Sequence, residues 1–466
     1  MTPDRGASAS RRARLGAGFA RLAAEYGMLG VLLLLCAFFS VVTLREQQPD
    51  GAAAAAAVAA RIAREAPQAT IVIVPRPGEE GGRFAAALAA RRPGSGRLVM
   101  LRCDSPAALR DGLARIPASE AGGPEPVIAT TADYAPTVRG VLAALPAAAG
   151  TRVIVPPSYR WPTFLLVENL RNVANQIAVI AIVAIGMTIV IITAGIDLSV
   201  GSLIAFAAVA VAWLIGRFGG QAASPAAMLL AGALAVLLCG GVGAFSGLMI
   251  TRFGVPPFIA TLGMMQVASG VAYIVSRGRP IYEIPASFVA LGRGVDPWLG
   301  IPHAVVLMLA LYAAAHLVMS RTALGRHVYA VGGNPEAARL AGVRVKGVLM
   351  FAYALCGALA GLGGVVTASQ LRSGAPTYGL MYELYVIAAV VVGGTSLSGG
   401  EGRILGTLIG AFIIAVIQNG MNLTNVESYT QKVVLGLVIL GAVLLDRLKQ
   451  RDWRRLSAGA RGEAGS

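Results

Sequence analysis

The run from Ile177 to Ile215 contains one charged residue, Asp197. It is about twice as long as the ~20 residues one helix needs to cross a bilayer. The run therefore reads as two crossings joined by a tight polar joint inside "TAGIDLSVGSLIAF" (193–206). At a helix start an aspartate accepts the orphan N–H groups of the next turn, and Ser199 can share that task. Gly195 and Gly201 are expected to supply the chain reversal. Ionisable groups at membrane depth also mark substrate or coupling contacts, so Asp197 carries two readings, a structural cap and a pathway residue.

The rest of the chain agrees with the membrane class. Hydrophobic residues make up 56% and charged residues 13%, with mean hydropathy +0.70; soluble domains carry nearer a quarter charged residues. A net charge of +16 invites a nucleic-acid reading, but the basic residues cluster in tails and loops beside apolar runs, as cytoplasmic anchoring predicts. The basic segment "RGASASRRARLGAGFARL" precedes an apolar run from Tyr26 to Leu44. No A-x-A cleavage site directly follows that run, so an uncleaved first crossing is expected rather than a secretory signal. Nine further apolar runs lie near 177–194, 201–215, 226–250, 258–275, 303–319, 348–367, 385–394, 404–418 and 433–445. The run at 385–394 is short and reads as a broken helix. About ten crossings put both termini inside, together with the basic stretches 321–347 and 446–455. Small residues at helix spacing, Gly243 and Gly247, Gly357 and Gly361, Gly406 and Gly410, are expected at close helix contacts within the bundle.

Residues 46–162 break this pattern. Strand-like runs at 69–75, 97–103, 126–131 and 151–157 alternate with alanine-rich helical segments. That rhythm predicts a small α/β domain with a mostly parallel sheet, placed outside the membrane by the topology. The fold class expected is thus an all-α polytopic membrane protein plus an inserted α/β soluble domain. Its divisions are 1–45 (basic amino terminus and first crossing), 46–162, 163–446 (the transmembrane region) and 447–466 (a basic cytoplasmic tail).

Chemistry-bearing motifs are few. The cysteines Cys36, Cys103, Cys239 and Cys356 lie far apart with no CxxC pair, and the three histidines show no metal spacing. No catalytic residue and no metal site are expected. No GxxxxGK[ST] phosphate loop occurs.

Four ordered segments carry a resemblance. "AIGMTIVIITAGIDLSVGSLIAF" (184–206), "TLGMMQVASGVAYIVSRGRPI" (261–281), "GRHVYAVGGNPEAARLAGVRV" (325–345) and "YELYVIAAVVVGGTSLSGGEGRILGTLIGAFIIAVIQNGMNL" (382–423) resemble the ribose/xylose-type sugar permeases of ABC importers, relatives of the branched-chain amino acid permeases. The resemblance covers roughly 163–446 and the first crossing. It implies a type II importer-like subunit of a bacterial inner (plasma) membrane that translocates a pentose or hexose by alternating access. It also implies a permease homodimer surrounded by lipid, a separate cytoplasmic ATPase that binds the ATP, and a periplasmic or extracellular sugar-binding protein. No cofactor is expected in this chain, and the missing phosphate loop fits that division of labour. The segment 46–162 departs from the family, where a short connection is usual.

The resemblance also assigns an ATPase-coupling helix to Asn334, Pro335, Glu336, Ala337, Ala338, Arg339, Leu340, Ala341 and Gly342. Those residues suit it: Pro335 at a helix start, Glu336 near the positive dipole end, Ala337, Ala338 and Ala341 leaving a small surface, and Gly342 to stop. "GGTSLSGGEGR" (393–403) echoes "GIDLSVGS" (195–202). Both read as helix breaks on the cytoplasmic side that line the route, naming Gly195, Asp197, Ser199 and Gly201 with Gly393, Gly394, Thr395, Ser396 and Ser398. Hydrogen bonding to a sugar and simple helix capping are equal readings for the second set. Two other functions are open: an ion-coupled secondary transporter, which needs more than one intramembrane charge, and a membrane sensor using the α/β domain.

Overall fold

A computed structural model describes residues 27–91, 94, 96–115, 126–145 and 151–444. The basic segment at 5–22 and the tail from 446 onward, which bear on the expected orientation, lie outside the described residues. The chain divides into two compact units, Leu44–Thr163 and the remainder.

The remainder opens with α1 (Gly27–Val42). The Leu44–Thr163 unit is α/β. An antiparallel pair, β1 (Leu44–Gln47) with β6 (Tyr159–Pro162), closes its ends. Between them β2 (Ile71–Ile73), β3 (Leu98–Met100), β4 (Val127–Ala129) and β5 (Arg152–Ile154) form a wholly parallel sheet in the order β3-β2-β4-β5. Alternation along β2 builds a core on each face. Ile71 and Ile73 pack with Val58 and Ile62 of α2 (Gly51–Glu65) and Phe84 and Leu88 of α3 (Glu79–Arg91). Val72 and Val74 pack with Leu109 of α4 (Pro106–Ala114) and Val138 of α5 (Ala135–Ala143). Helices on both faces are what parallel strands require.

Every residue from Ile177 to Ile192 is buried in α6 (Val167–Ile192). A helix apolar all round belongs at a core, and α6 is the axis of the membrane unit. After it in the chain come α7 (Val200–Arg217), α8 (Pro225–Phe253) and α9 (Pro257–Ser276). The short α10 (Ala290–Arg293) follows, then α11 (His303–Arg321), α12 (Ala323–Gly333), α13 (Pro335–Leu340), α14 (Val345–Leu371), α15 (Tyr382–Val392) and α16 (Ile404–Leu423). The last described helix is α17 (Ser428–Leu444). Each of the ten expected apolar runs falls on a helix. Among the described residues, seven helices are long and apolar enough to cross a membrane, while α1, α15 and α17 are shorter. The short run at 385–394 is α15, which stops at Val392.

Glycine sets the helix spacings. A Cβ on Gly357 would overlap the Cys239 carbonyl, and one on Gly364 the Ile204 carbonyl. Thus α14 lies directly against α8 and α7. The pairs Gly243/Gly247 and Gly357/Gly361 meet across α8 and α14, and Gly406/Gly410 meet Gly393 and Ala389 of α15. Lipid gives helices no hydrophobic drive to associate, so close backbone packing takes its place.

Candidate functional site

The two helix breaks share one turn geometry. At the end of α6, Ala194 adopts a left-handed φ of 62°. Its N–H donates to the Ile191 carbonyl (2.9 Å), and the Gly195 N–H donates to the Val190 carbonyl (3.0 Å). At the end of α15, Gly394 has φ 88°. Its N–H donates to Val391 (2.9 Å), and the Thr395 N–H donates to Val390 (3.2 Å). These paired bonds satisfy carbonyls that a helix end leaves open. Beyond each turn a short polar side chain bonds two residues on. Asp197 Oδ1 accepts from the Ser199 N–H (3.0 Å) and hydroxyl (2.6 Å), and Ser396 Oγ accepts from the Ser398 N–H (3.3 Å). The sequence echo is therefore a repeated structure.

The expected role of the first-break glycines needs correcting. Ala194, not Gly195 or Gly201, makes the left-handed turn. The two glycines instead permit close approach: a Cβ on Gly195 would overlap the Tyr353 hydroxyl of α14, and one on Gly201 the Glu383 carboxylate of α15. Asp197 is fully buried, and Thr261 of α9 donates to the neighbouring Ile196 carbonyl (3.3 Å). The capping role expected of Asp197 and Ser199 is not seen: Asp197 Oδ1 bonds Ser199 itself, and no side chain caps the first turn of α7. Among the described residues, nothing hydrogen-bonds to the buried Asp197 Oδ2, Tyr353 hydroxyl or Thr395 Oγ1.

The breaks touch each other and the segment that precedes α13. Gly400 N–H donates to the Ile192 carbonyl (2.8 Å), and a Cβ on Gly399 would stand 2.8 Å from the Ala194 Cβ. Gly332, at the end of α12, sits where a Cβ would overlap the Ile192 carbonyl and lie 2.7 Å from Gly400 N. Tyr329 of α12 donates to the Gly402 carbonyl (2.8 Å). Thr188 and Thr407 join α6 to α16 through their hydroxyls (2.7 Å). Of the second-break residues, Gly393, Thr395 and Ser396 are buried and Gly394 and Ser398 are exposed.

Directly after Gly332 and Gly333 comes the helix at 334–342. Asn334 Oδ1 accepts from the Ala337 N–H (3.0 Å), Pro335 takes the first position, and Gly342 ends the segment with φ 83°. Glu336 and Arg339 form an exposed pair (3.0 Å). One expectation changes: Ala338 is buried against its own chain, so it leaves the small free surface. Pro335, Ala337, Leu340 and Ala341 remain on it, with Leu340 79% exposed.

Residues 169–443 match the family described as branched-chain amino acid transport system / permease component. The chain is 44% identical over 293 residues to the ribose import permease protein of Escherichia coli (strain K12), covering 62% of this chain and 88% of that one. It is 43% identical over 290 residues to the ribose import permease protein of Bacillus subtilis (strain 168), covering 62% and 87%. It is 38% identical over 293 residues to the L-arabinose transport system permease protein of Escherichia coli (strain K12), covering 63% and 87%. The chain belongs to this permease family. No solved structure matches it.

Two parts of this permease were not read from the sequence. Tyr353 lies within an apolar run, and nothing in spacing ties it to Gly195. Glu383 lies just ahead of the run at 385–394; its place beside Gly201 depends on the path taken by residues 373–381.

Proposed function

We propose that this permease is the transmembrane subunit of an ATP-binding cassette importer for a simple sugar, a pentose or hexose. The identities to ribose and L-arabinose permeases support the substrate class. The observation that carries the mechanism is the position of Gly332, wedged between the Ile192 carbonyl and Gly400 N at the root of the exposed helix at 334–342. Force applied to that helix reaches both breaks through backbone contacts, with no soft side chain between. A cytoplasmic ATPase, which binds the ATP, grips the helix around Leu340 and switches the bundle between two packings. The residues Gly195, Asp197, Ser199, Gly201 and Gly393 to Ser398 move with that switch and border the route.

The orientation follows from the same reading: both termini and the helix at 334–342 face the cytoplasm of a bacterial cell, and the unit at 44–163 lies outside. There a sugar-binding protein delivers substrate, and the α/β unit assists or replaces its docking. A second copy of the chain completes the route. Leu380 and Met381 are exposed on non-helical backbone, and such backbone is tolerated at membrane depth only against protein or water.

The test is uptake of radiolabelled D-ribose into proteoliposomes holding this chain with its ATPase. Uptake requiring both ATP and the binding protein supports the reading; uptake driven by an ion gradient without the ATPase replaces it with an ion-coupled carrier.

A further inference from the structure

The connection from α14 to α15 re-enters the bundle. A Cβ on Gly374 would overlap the Ala208 carbonyl, whereas one on Gly379 would overlap the Gly201 carbonyl and lie 2.9 Å from the Ile204 Cβ. Ala208 and Gly201 are about two turns apart on α7, so the non-helical residues 373–381 travel roughly 10 Å back along it. Depth follows from α6. Ile204 packs beside the same Gly363 as Val183, and Val183 is about 14 Å from the Ile192 end of α6 at the helical rise. Helix α15 thus begins inside the bundle and is a half-helix.

Its first turn carries Glu383, whose carboxylate lies over Gly201. The side chain is half-buried, and none of the ion pairs among the described residues includes it. Beside it the rings of Tyr382 and Tyr385 meet edge to face, with centroids 6.2 Å apart. A carboxylate at this depth must face protein interior or water, because lipid contact is costly. Broken helices at mid-membrane are where carriers place their substrates.

Resting on the sugar-importer reading above, we propose that Glu383 is a specificity-determining contact for the transported molecule. It accepts hydrogen bonds from adjacent hydroxyls of a neutral polyol, with the Tyr382 ring beside them. An ionised carboxylate is acceptor-only with about four lone-pair sites, which matches a ligand rich in hydroxyl donors. An anionic substrate would be repelled. Gly201 is required because a side chain there would occupy the place of the carboxylate.

The experiment uses the full chain assembled with its ATPase in proteoliposomes, supplied with binding protein and labelled D-ribose, L-arabinose or L-leucine. Glu383→Ala should lower ribose uptake about tenfold or more, as expected when a hydrogen-bonding contact to substrate is lost. ATP hydrolysis should stay within about twofold, since the lost interaction is with substrate. Glu383→Gln, which keeps the shape and one acceptor oxygen, should fall between, and the ribose-to-arabinose ratio should shift in both variants. Unchanged uptake and ratio in both would overturn the proposal. So would uptake and ATP hydrolysis falling together in both, since that marks a structural cap of α7. If the unaltered protein carries leucine and neither sugar, the sugar-importer reading itself fails and takes this inference with it.

Discussion

Replacing Gly332 by alanine tests the proposed mechanical link at its narrowest point. The new Cβ would stand 2.7 Å from Gly400 N and closer still to the Ile192 carbonyl. Relaxing only the first contact to an ordinary separation of about 3.5 Å requires a shift of about 0.8 Å. That shift is directed at the Gly400 N–H to Ile192 carbonyl bond, 2.8 Å long, which ties the two breaks together. Overpacking of this kind costs about 1–3 kcal/mol, and loss of one internal hydrogen bond adds about 1 kcal/mol. If the contact exists in only one of the two packings, even 2 kcal/mol moves their ratio roughly 30-fold. Gly333→Ala is the matched control, because its Cβ would meet nothing within 4 Å and alanine favours helix by about 1 kcal/mol. The assay is sugar uptake per ATP hydrolysed in proteoliposomes. Gly332→Ala should reduce coupled uptake at least about tenfold while Gly333→Ala stays near wild type. Equal behaviour of the two variants, whether both active or both impaired, would refute the link.

Two other outcomes follow. Leu340→Glu changes an exposed side chain, so folding should shift by no more than about 0.5 kcal/mol, yet the ATPase should no longer co-purify; Ala338→Arg, at a buried position, should instead lower the yield of monodisperse protein on gel filtration. In the α/β unit, burial pushes the Asp133 carboxyl up, but hydrogen bonding and the charge of the Arg76 guanidinium, 2.8 Å away, outweigh it and hold it below the ordinary carboxylate range. Its stabilising contribution is therefore complete above the unfolded value of about 3.9 and fades as pH falls through the lower folded value. Hydrogen-exchange protection of β4, corrected for intrinsic rate, should hold from neutral pH to about 5 and drop below about 4, a step that Arg76→Ala removes.

The membrane helices were legible because their causes are local. The charge-free run at 177–192 became the buried axis α6, and the glycine pairs became helix crossings, since bilayer length and backbone approach are read directly from residue type. The parallel sheet was legible for a similar reason: β2 and β4 are short β-branched runs separated by helix-length alanine segments. The echo between 195–202 and 393–403 was visible as words, yet its geometry was misassigned, with Ala194 taking the left-handed turn expected of glycine. That turn is held among contacts remote in sequence, with Tyr353 beside Gly195, Gly399 beside Ala194 and Gly400 bonded to Ile192. The inward face of Ala338 and the depth of Glu383 were not legible, because each depends on where another helix lies. Nothing in the local sequence shows that residues 373–381 turn back along α7.

In the proposed mechanism another molecule grips the inner face of this permease at 334–342. Sidedness of labelling tests it most directly. Leu340→Cys would be made in a background where Cys36, Cys103, Cys239 and Cys356 are replaced by alanine, and probed with a membrane-impermeant maleimide. Modification only from the cytoplasmic side, and its suppression when the ATPase is bound, is the result expected; modification from outside intact cells would contradict the claim.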